Sequence, residues 1–215
     1  MTTTERDRGS NEIHGIWDGS QNDLISYRYL GCSSELRDRE HAEGRMRLRE
    51  DMRSPAGLLS APVAIAMLDT AGINIDRYYH AACTQVDVHL FDPAGDVDEI
   101  LTLGTVVREA RTQVFTEARI EDAAQRGRLI GFGTVGWAII GPTPEGFVYT
   151  DPGSGVADSP SLPPLAEAYG ARSRPDGRYV IDGLSPRIGT DSMHHGPILV
   201  TLEAFRFFAR DVIAE

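Results

Sequence analysis

One acid stands where the chain offers it no water. Residues 57–71 run GLLSAPVAIAMLDTA. Val63, Ala64, Ile65, Ala66, Met67 and Leu68 leave a helix there with no solvated face, and such a helix belongs inside a domain. Asp69 closes the run, with Gly72 placed to end the helix in a left-handed turn. A carboxylate in a last turn sits at the unfavourable end of the helix dipole. In a dry place it also needs a partner. A residue that breaks two rules at once is a candidate for function. Burial would raise its pKa and make it a stronger base. The plainer alternative is a last-turn aspartate that reaches solvent.

The second set is basic. In EGRMRLRE (43–50), Arg45, Arg47 and Arg49 alternate with Met46 and Leu48, the pattern of a half-buried strand. The arginine row is either a solvated strand face or, with Arg53, a contact for a cofactor's phosphates. A third motif is a decoy. Gly131, Gly133 and Gly136 fit G-x-G-x-x-G, but the dinucleotide reading requires a helix to open there. Trp137, Ala138, Ile139 and Ile140 continue as a strand instead, so these glycines are expected to let a long strand bend around the helix.

The elements that must position these residues follow from periodicity. Residues 1–11 are polar, the pattern of a disordered tail. Residues 12–40 are mixed, with Trp17, Tyr27, Tyr29 and Leu30 as apolar anchors for a strand or short helix. Ser60 can cap the buried helix, and Pro62 is tolerated in its first turn. Residues 83–90, 99–110, 111–122 and 128–141 are β-rich runs separated by short turns, which makes an antiparallel meander. One apolar helix before four amphipathic strands predicts a curved sheet wrapped around that helix, an α+β architecture. Residues 142–176 hold seven prolines and form a linker or long excursion, with a short helix near 165–169.

The opening theme then returns. Residues 177–209 repeat residues 44–72: Gly44 and Arg45 answer Gly177 and Arg178, Ser54 and Pro55 answer Ser185 and Pro186, Gly57 answers Gly189, and Pro62 answers Pro197. A repeated strand–loop–helix unit implies two related modules facing one another.

These residues resemble the hotdog-fold acyl-CoA thioesterases of the hydroxybenzoyl-CoA and phenylacetate-pathway type. Their motif is Gly-x-x-His-Gly-Gly with an Asp or Glu seven residues later on the central helix. Gly57 matches the first glycine, Ser60, Ala61 and Pro62 stand where His-Gly-Gly would be, and Asp69 falls at the acid position, followed by Thr70 and Ala71. The resemblance covers residues 42–141 as a full module and 177–215 as a partial second one. It implies a hotdog module at 41–141, a tail and packing segment at 1–40, a Pro/Gly-rich linker at 142–176 and a partial second hotdog at 177–215. The first copy keeps the acid and lacks the His. The second keeps His195 and Gly196 but has Ala204 at the acid position, with Glu203 beside it. In this family the acid comes from one central helix and the His-Gly loop from the other. The resemblance therefore implies one intact site, Asp69 facing His195 and Gly196, and one silent site, Ser60 and Ala61 facing Ala204.

In that site Asp69 is a general base on water or a carboxylate nucleophile, and backbone N–H groups at a helix start are donors for the oxyanion. His195 orients thioester or water, with His194 as the alternative and Thr190 or Asp191 where the family's loop amide sits. The bland reading of the two histidines is a polar loop before a helix. Metal binding by them is not expected, since no further ligands stand at useful spacing. The substrate implied is an acyl-CoA or acyl-carrier thioester, the CoA thioester being substrate with no cofactor expected. The alternatives are a noncatalytic acyl-CoA-binding or assembly module and, lower, an enoyl-CoA hydratase.

Composition bounds the rest. The 215 residues, 41% hydrophobic and 25% charged, suffice for a packed core. A net charge of −11 argues against nucleic acid as partner. Cys32 and Cys83 do not make a disulfide framework, the N-terminus is polar, and no run approaches a membrane span. The expected compartment is the reducing cytoplasm. The second helix carries Ile198, Leu199, Leu202, Phe205 and Phe208, an apolar face that needs a cover. A longer chain, a homo-oligomer or partner chain completing the second hotdog, or the first module's own sheet would each supply it.

Overall fold

The computed structural model describes residues 29–76, 78–143, 155–176, 178–181 and 195–213, with side chains on the last helix to Ala204. The expectations for residues 1–28 and for Thr190, Asp191 and His194 fall outside the described residues. In chain order the elements are β1 (Ser33–Leu36), β2 (His41–Arg47), a 3-10 turn (Glu50–Met52), β3 (Arg53–Ser54), β4 (Gly57–Leu58), α1 (Ser60–Asp76), β5 (Tyr79–Leu90), β6 (Glu99–Glu109), β7 (Gln113–Asp122), β8 (Leu129–Pro142), α2 (Leu165–Ala168), β9 (Ala171–Ser173), β10 (Tyr179–Ile181) and α3 (His195–Ile213).

Six of the strands form one antiparallel sheet, ordered β1-β2-β6-β7-β8-β5. Alternation explains its inner face. In β7, Val114, Thr116, Ala118 and Ile120 are buried at every second position. Register shifts at His80/Ala81 and Cys83/Gln85 in β5, and at Val106/Arg108 in β6, bend the long strands. The sheet wraps α1, every residue of which from Ala61 to Ile75 is buried. This is the expected helix in a curved sheet.

Two expectations for α1 are corrected. The helix does not end at Gly72; it continues to Asp76. Gly72 is helical, and a Cβ there would lie 3.3 Å from Trp137 Cη2. The glycine serves close packing under an indole, not a left-handed turn. Asp69 therefore stands two turns before the helix end, and the dipole argument against it lapses. The burial argument stays, with Asp69 only 3% exposed. Nor does Ser60 cap the helix from outside: it is the first helical residue.

The glycine-rich motif lies wholly within β8, and no helix opens after it. A Cβ on Gly133 would strike the Met67 thioether and come within 2.7 Å of Asp87 O. This glycine lets helix and neighbouring strand approach the sheet closely. The described part of the proline-rich segment packs against the body. Val156 N–H donates to Tyr29 O at 3.2 Å. Leu165 and Tyr169 join the core cluster that holds Ile100 and Ile120, with Val200 of α3 in the same cluster. No described helix is long and apolar enough to cross a membrane.

Candidate active site

Asp69 projects from the middle of α1 toward β1. Ser34 Oγ donates to Asp69 Oδ2 at 2.5 Å and lies 3.2 Å from Thr70 Oγ1. Thr70 Oγ1 donates to Ala66 O at 3.0 Å and stands 2.5 Å from Thr102 Oγ1. A short polar track thus runs from the carboxylate into the interface of α1 with β1, β2 and β6. The lack of a side chain at Gly44 makes room for it, since a Cβ there would strike Thr70 Oγ1 and fall 2.6 Å from Thr102 Oγ1. Burial, and then the nearby Asp69 charge, push the Cys32 thiol well up.

The other two proposed catalytic residues open α3. His195 is half-buried and Gly196 is buried. Leu199 packs against both buried clusters of the core, the one that includes Val63 and Ile65 and the one that includes Met67 and Leu68. The second helix therefore lies on the first.

The clearest contact between the two helices was missed at the sequence level. Glu203 of α3 lays its carboxylate across the first turn of α1. Ser60 N–H and Ser60 Oγ donate to Glu203 Oε1 at 2.6 and 2.7 Å, and Ala61 N–H donates to Oε2 at 3.0 Å. These are backbone donors left open by the helix start, where the dipole favours an anion. Ser60 and Ala61 were expected to face Ala204 and be silent; they meet an acid instead. One residue along a helix turns the side chain by about 100°, so spacing from Pro197 alone cannot decide between positions 203 and 204. A usable signal was the Glu itself, in an otherwise apolar stretch of helix.

A cavity of about 430 Å³ opens at this contact, between α1, α3, β5 and the loop through Ser54 and Leu58. Ser60, Ala61 and Glu203 form its polar part. Ser60 and Glu203 thus meet at one level, while Ala64 and Leu199, one turn further into each, line the same space.

The four arginines are not one face. Arg45 is half-buried and donates to Glu99 Oε2 at 2.9 Å. Arg47 is exposed and ends β2. Arg49, past the strand end, is 4% exposed. It holds Asp51 through two bonds of 2.9 and 3.0 Å, donates to Tyr29 O at 3.1 Å, and lies 4.9 Å over the Tyr29 ring. Arg53 donates to Ala94 O at 2.8 Å and Val97 O at 2.6 Å. Two of the four guanidinium groups thus hold loops, and the alternation that put Arg49 beside Arg47 ends with the strand. Arg47 borders a second cavity of about 720 Å³, whose other charged walls include Asp98, Glu99 and Asp158. Among the described residues no group of three or more His, Cys, Asp or Glu side chains could hold a metal.

No protein-family model matches the sequence, and no curated protein matches it. Solved structures do. A hypothetical thioesterase protein from Streptococcus pneumoniae TIGR4, solved with coenzyme A, is 17% identical with a TM-score of 0.51, over 60% of this chain and 99% of that one. The E. coli PaaI protein from the phenylacetic acid degradation operon is 12% identical with a TM-score of 0.53, over 63% and 98%. The S. sahachiroi AziG structure is 22% identical with a TM-score of 0.46, over 52% and 92%. With the sheet order and the enclosed helix, the first two establish the hotdog fold for this chain. Identities this low bear on fold alone.

Proposed function

We propose that the protein hydrolyses an acyl thioester, carried by CoA or a carrier protein, at the seam between α1 and α3. The observation that supports this best is the Glu203 carboxylate on the first backbone donors of α1, beside a cavity. A base and an oxyanion cradle stand within hydrogen-bond reach of one another, the geometry that acyl transfer requires.

Chemistry follows from the two carboxylate oxygens. Oε1 is anchored by two donors of Ser60, Oε2 by the Ala61 N–H alone. A thioester carbonyl entering the cavity takes the Ala61 donor and releases Oε2. Oε2 then removes a proton from water as the hydroxide attacks the acyl carbon. Negative charge develops on the carbonyl oxygen, against the helix start. The C–S bond breaks as the tetrahedral intermediate collapses, and the proton on Glu203 passes to the departing thiolate.

Asp69 is the corresponding acid of the other half, as base or nucleophile, with the start of α3 at His195 and Gly196 supplying its donors. The order of contacts supports it. Ser60 meets Glu203, and Ala64 and Leu199 line one cavity, a progression of opposite sense in the two helices. Continued, it carries Asp69 to the level of His195. The exposed guanidinium of Arg47 is the remaining candidate for the carrier's phosphates.

The test is thioester hydrolysis over a panel of acyl-CoAs, followed by thiol release. Glu203→Gln is expected to lower the rate by about 100-fold or more at the α1 half, and Asp69→Asn to do so at the other, on the general-base scale. Rates equal to wild type in the double variant would reject the reading. A noncatalytic acyl-CoA-binding module is favoured by the same contact, since Glu203 already satisfies the helix start as a structural cap would. Acyl-CoA binding without turnover over the whole panel would select it.

A further inference from the structure

We infer that the cavity between α1, α3 and β5 takes an uncharged aliphatic acyl chain, and that Ala64 and Leu202 set its length. The inference rests on the thioester reading of the preceding section and names the substrate class for that site.

The argument is in the walls. The apolar lining is Leu58, Ala64, Val86, Val88, Leu199 and Leu202, with a further alanine in the loop. Every one of these side chains is aliphatic. No aromatic side chain among the described residues lines the cavity, so an aryl acyl group would find no ring to stack on. Among the described residues no cation lines it either, and the one charge they bring is the Glu203 carboxylate. A tail ending in a carboxylate would be desolvated among aliphatic side chains without compensation. A volume of about 430 Å³ falls at the smaller end of small-ligand cavities, roughly 300–1,000 Å³. The polar groups Ser60 and Glu203 meet at one point of the wall. A chain whose carbonyl sits at the Ala61 N–H therefore runs from a polar end into an aliphatic one.

Two wall residues lie where size can be read. Ala64 is one turn into α1 from the cradle, buried, and the residue of its helix that lines the cavity beyond the first turn. Leu202 is on the opposing helix beside Glu203 and is 60% exposed, so it can be shortened without opening the core. Enlarging the first should shorten the accepted chain; trimming the second should lengthen it.

The experiment measures binding of nonhydrolysable S-alkyl-CoA thioethers of increasing length by titration calorimetry, and hydrolysis of the matching thioesters. In the wild type each added methylene should tighten binding by about fourfold until the cavity is full. Phenylalkyl and ω-carboxyalkyl analogues of equal carbon count should bind at least about tenfold more weakly. Ala64→Leu should move the limiting length to fewer carbons, and Leu202→Ala to more. Should Ala64→Leu not fold, the direction of the Leu202→Ala shift decides. Tighter binding of the aryl or carboxyalkyl analogues, or a limit unmoved by the variants that fold, would overturn the inference. Length-dependent binding without hydrolysis would sink the catalytic reading and leave the aliphatic cavity standing. Hydrolysis without length dependence would do the reverse.

Discussion

Arg49 shows what a side chain can cost when its partners are fixed. It lies past the end of β2, nearly buried, with its guanidinium shared among the Asp51 carboxylate, the Tyr29 carbonyl and the Tyr29 ring. Removing one member of a buried ion pair leaves the other charge uncompensated. Arg49→Ala is therefore expected to lower stability by about 3–5 kcal/mol, whereas Arg47→Ala, on an exposed side chain, should stay within about 0.5 kcal/mol. Urea denaturation of the two variants measures both, and equal effects would show that Arg49 is not structural. The pair also marks what sequence can disclose at this scale. Asp69 stood out because six apolar residues precede it in a helix with no solvated face. Arg49 did not stand out, because it looks like an ordinary surface charge, and Glu203 signalled an acid in an apolar stretch without signalling its partner. Arg49 owes its burial partly to Tyr29, 20 positions away, and Glu203 meets Ser60 across 143 positions. No local pattern encodes such a contact.

At the scale of elements, the decisive quantity is how closely α1 approaches the sheet. Alternation makes each strand legible, because one face is buried and the other is not. The helix limits were less so, since a glycine can end a helix or let another element press against it, and only the neighbour tells which. Gly44 is of the second kind. It sits in β2 opposite Ser34 of β1 and Thr102 of β6. A Cβ would meet the Thr70 and Thr102 hydroxyls and come within 2.9 Å of Ser33 O, which is backbone. The hydroxyls can rotate away; the carbonyl moves only with β1. Gly44→Ala should thus cost about 1–3 kcal/mol as overpacking. Because Ser34 lies on the strand that must shift, the variant should also loosen the Ser34 bond to Asp69. Chemical denaturation checks the first expectation. The second predicts a fall in whatever hydrolysis depends on Asp69, with hydrolysis at Glu203 unaffected, and the two variants of the proposed acids separate these contributions.

For the whole molecule the question is whether the proline-rich segment and α3 fold with the sheet or merely rest on it. Composition marked residues 142–176 as an excursion, and most of its described part, residues 155–176, does lie outside regular structure. Composition could not show that the segment returns to the core. Tyr169 is 0% exposed, with its ring 5.9 Å from that of Tyr29 and edge-on to it. It shares a buried cluster with Ile100 and Ile120 of the sheet and Val200 of α3. A side chain that joins three parts of one cluster couples their unfolding. Tyr169→Ala is accordingly expected to destabilise the whole by about 3–5 kcal/mol, the range for deleting a large buried aromatic. The unfolding should stay a single transition in which Trp137 fluorescence, read in a Trp17→Phe background, and far-ultraviolet dichroism share one midpoint. Trp137 is far from Tyr169 in the packing, since it belongs to the other cluster with Met67 and Leu68. A shift of its midpoint therefore reports coupling through α1, not a local change. If the dichroism instead showed an early separate loss of helix while the Trp137 midpoint stayed fixed, α3 would be an appended element. The seam where Glu203 meets α1 would then open well before the hotdog unfolds.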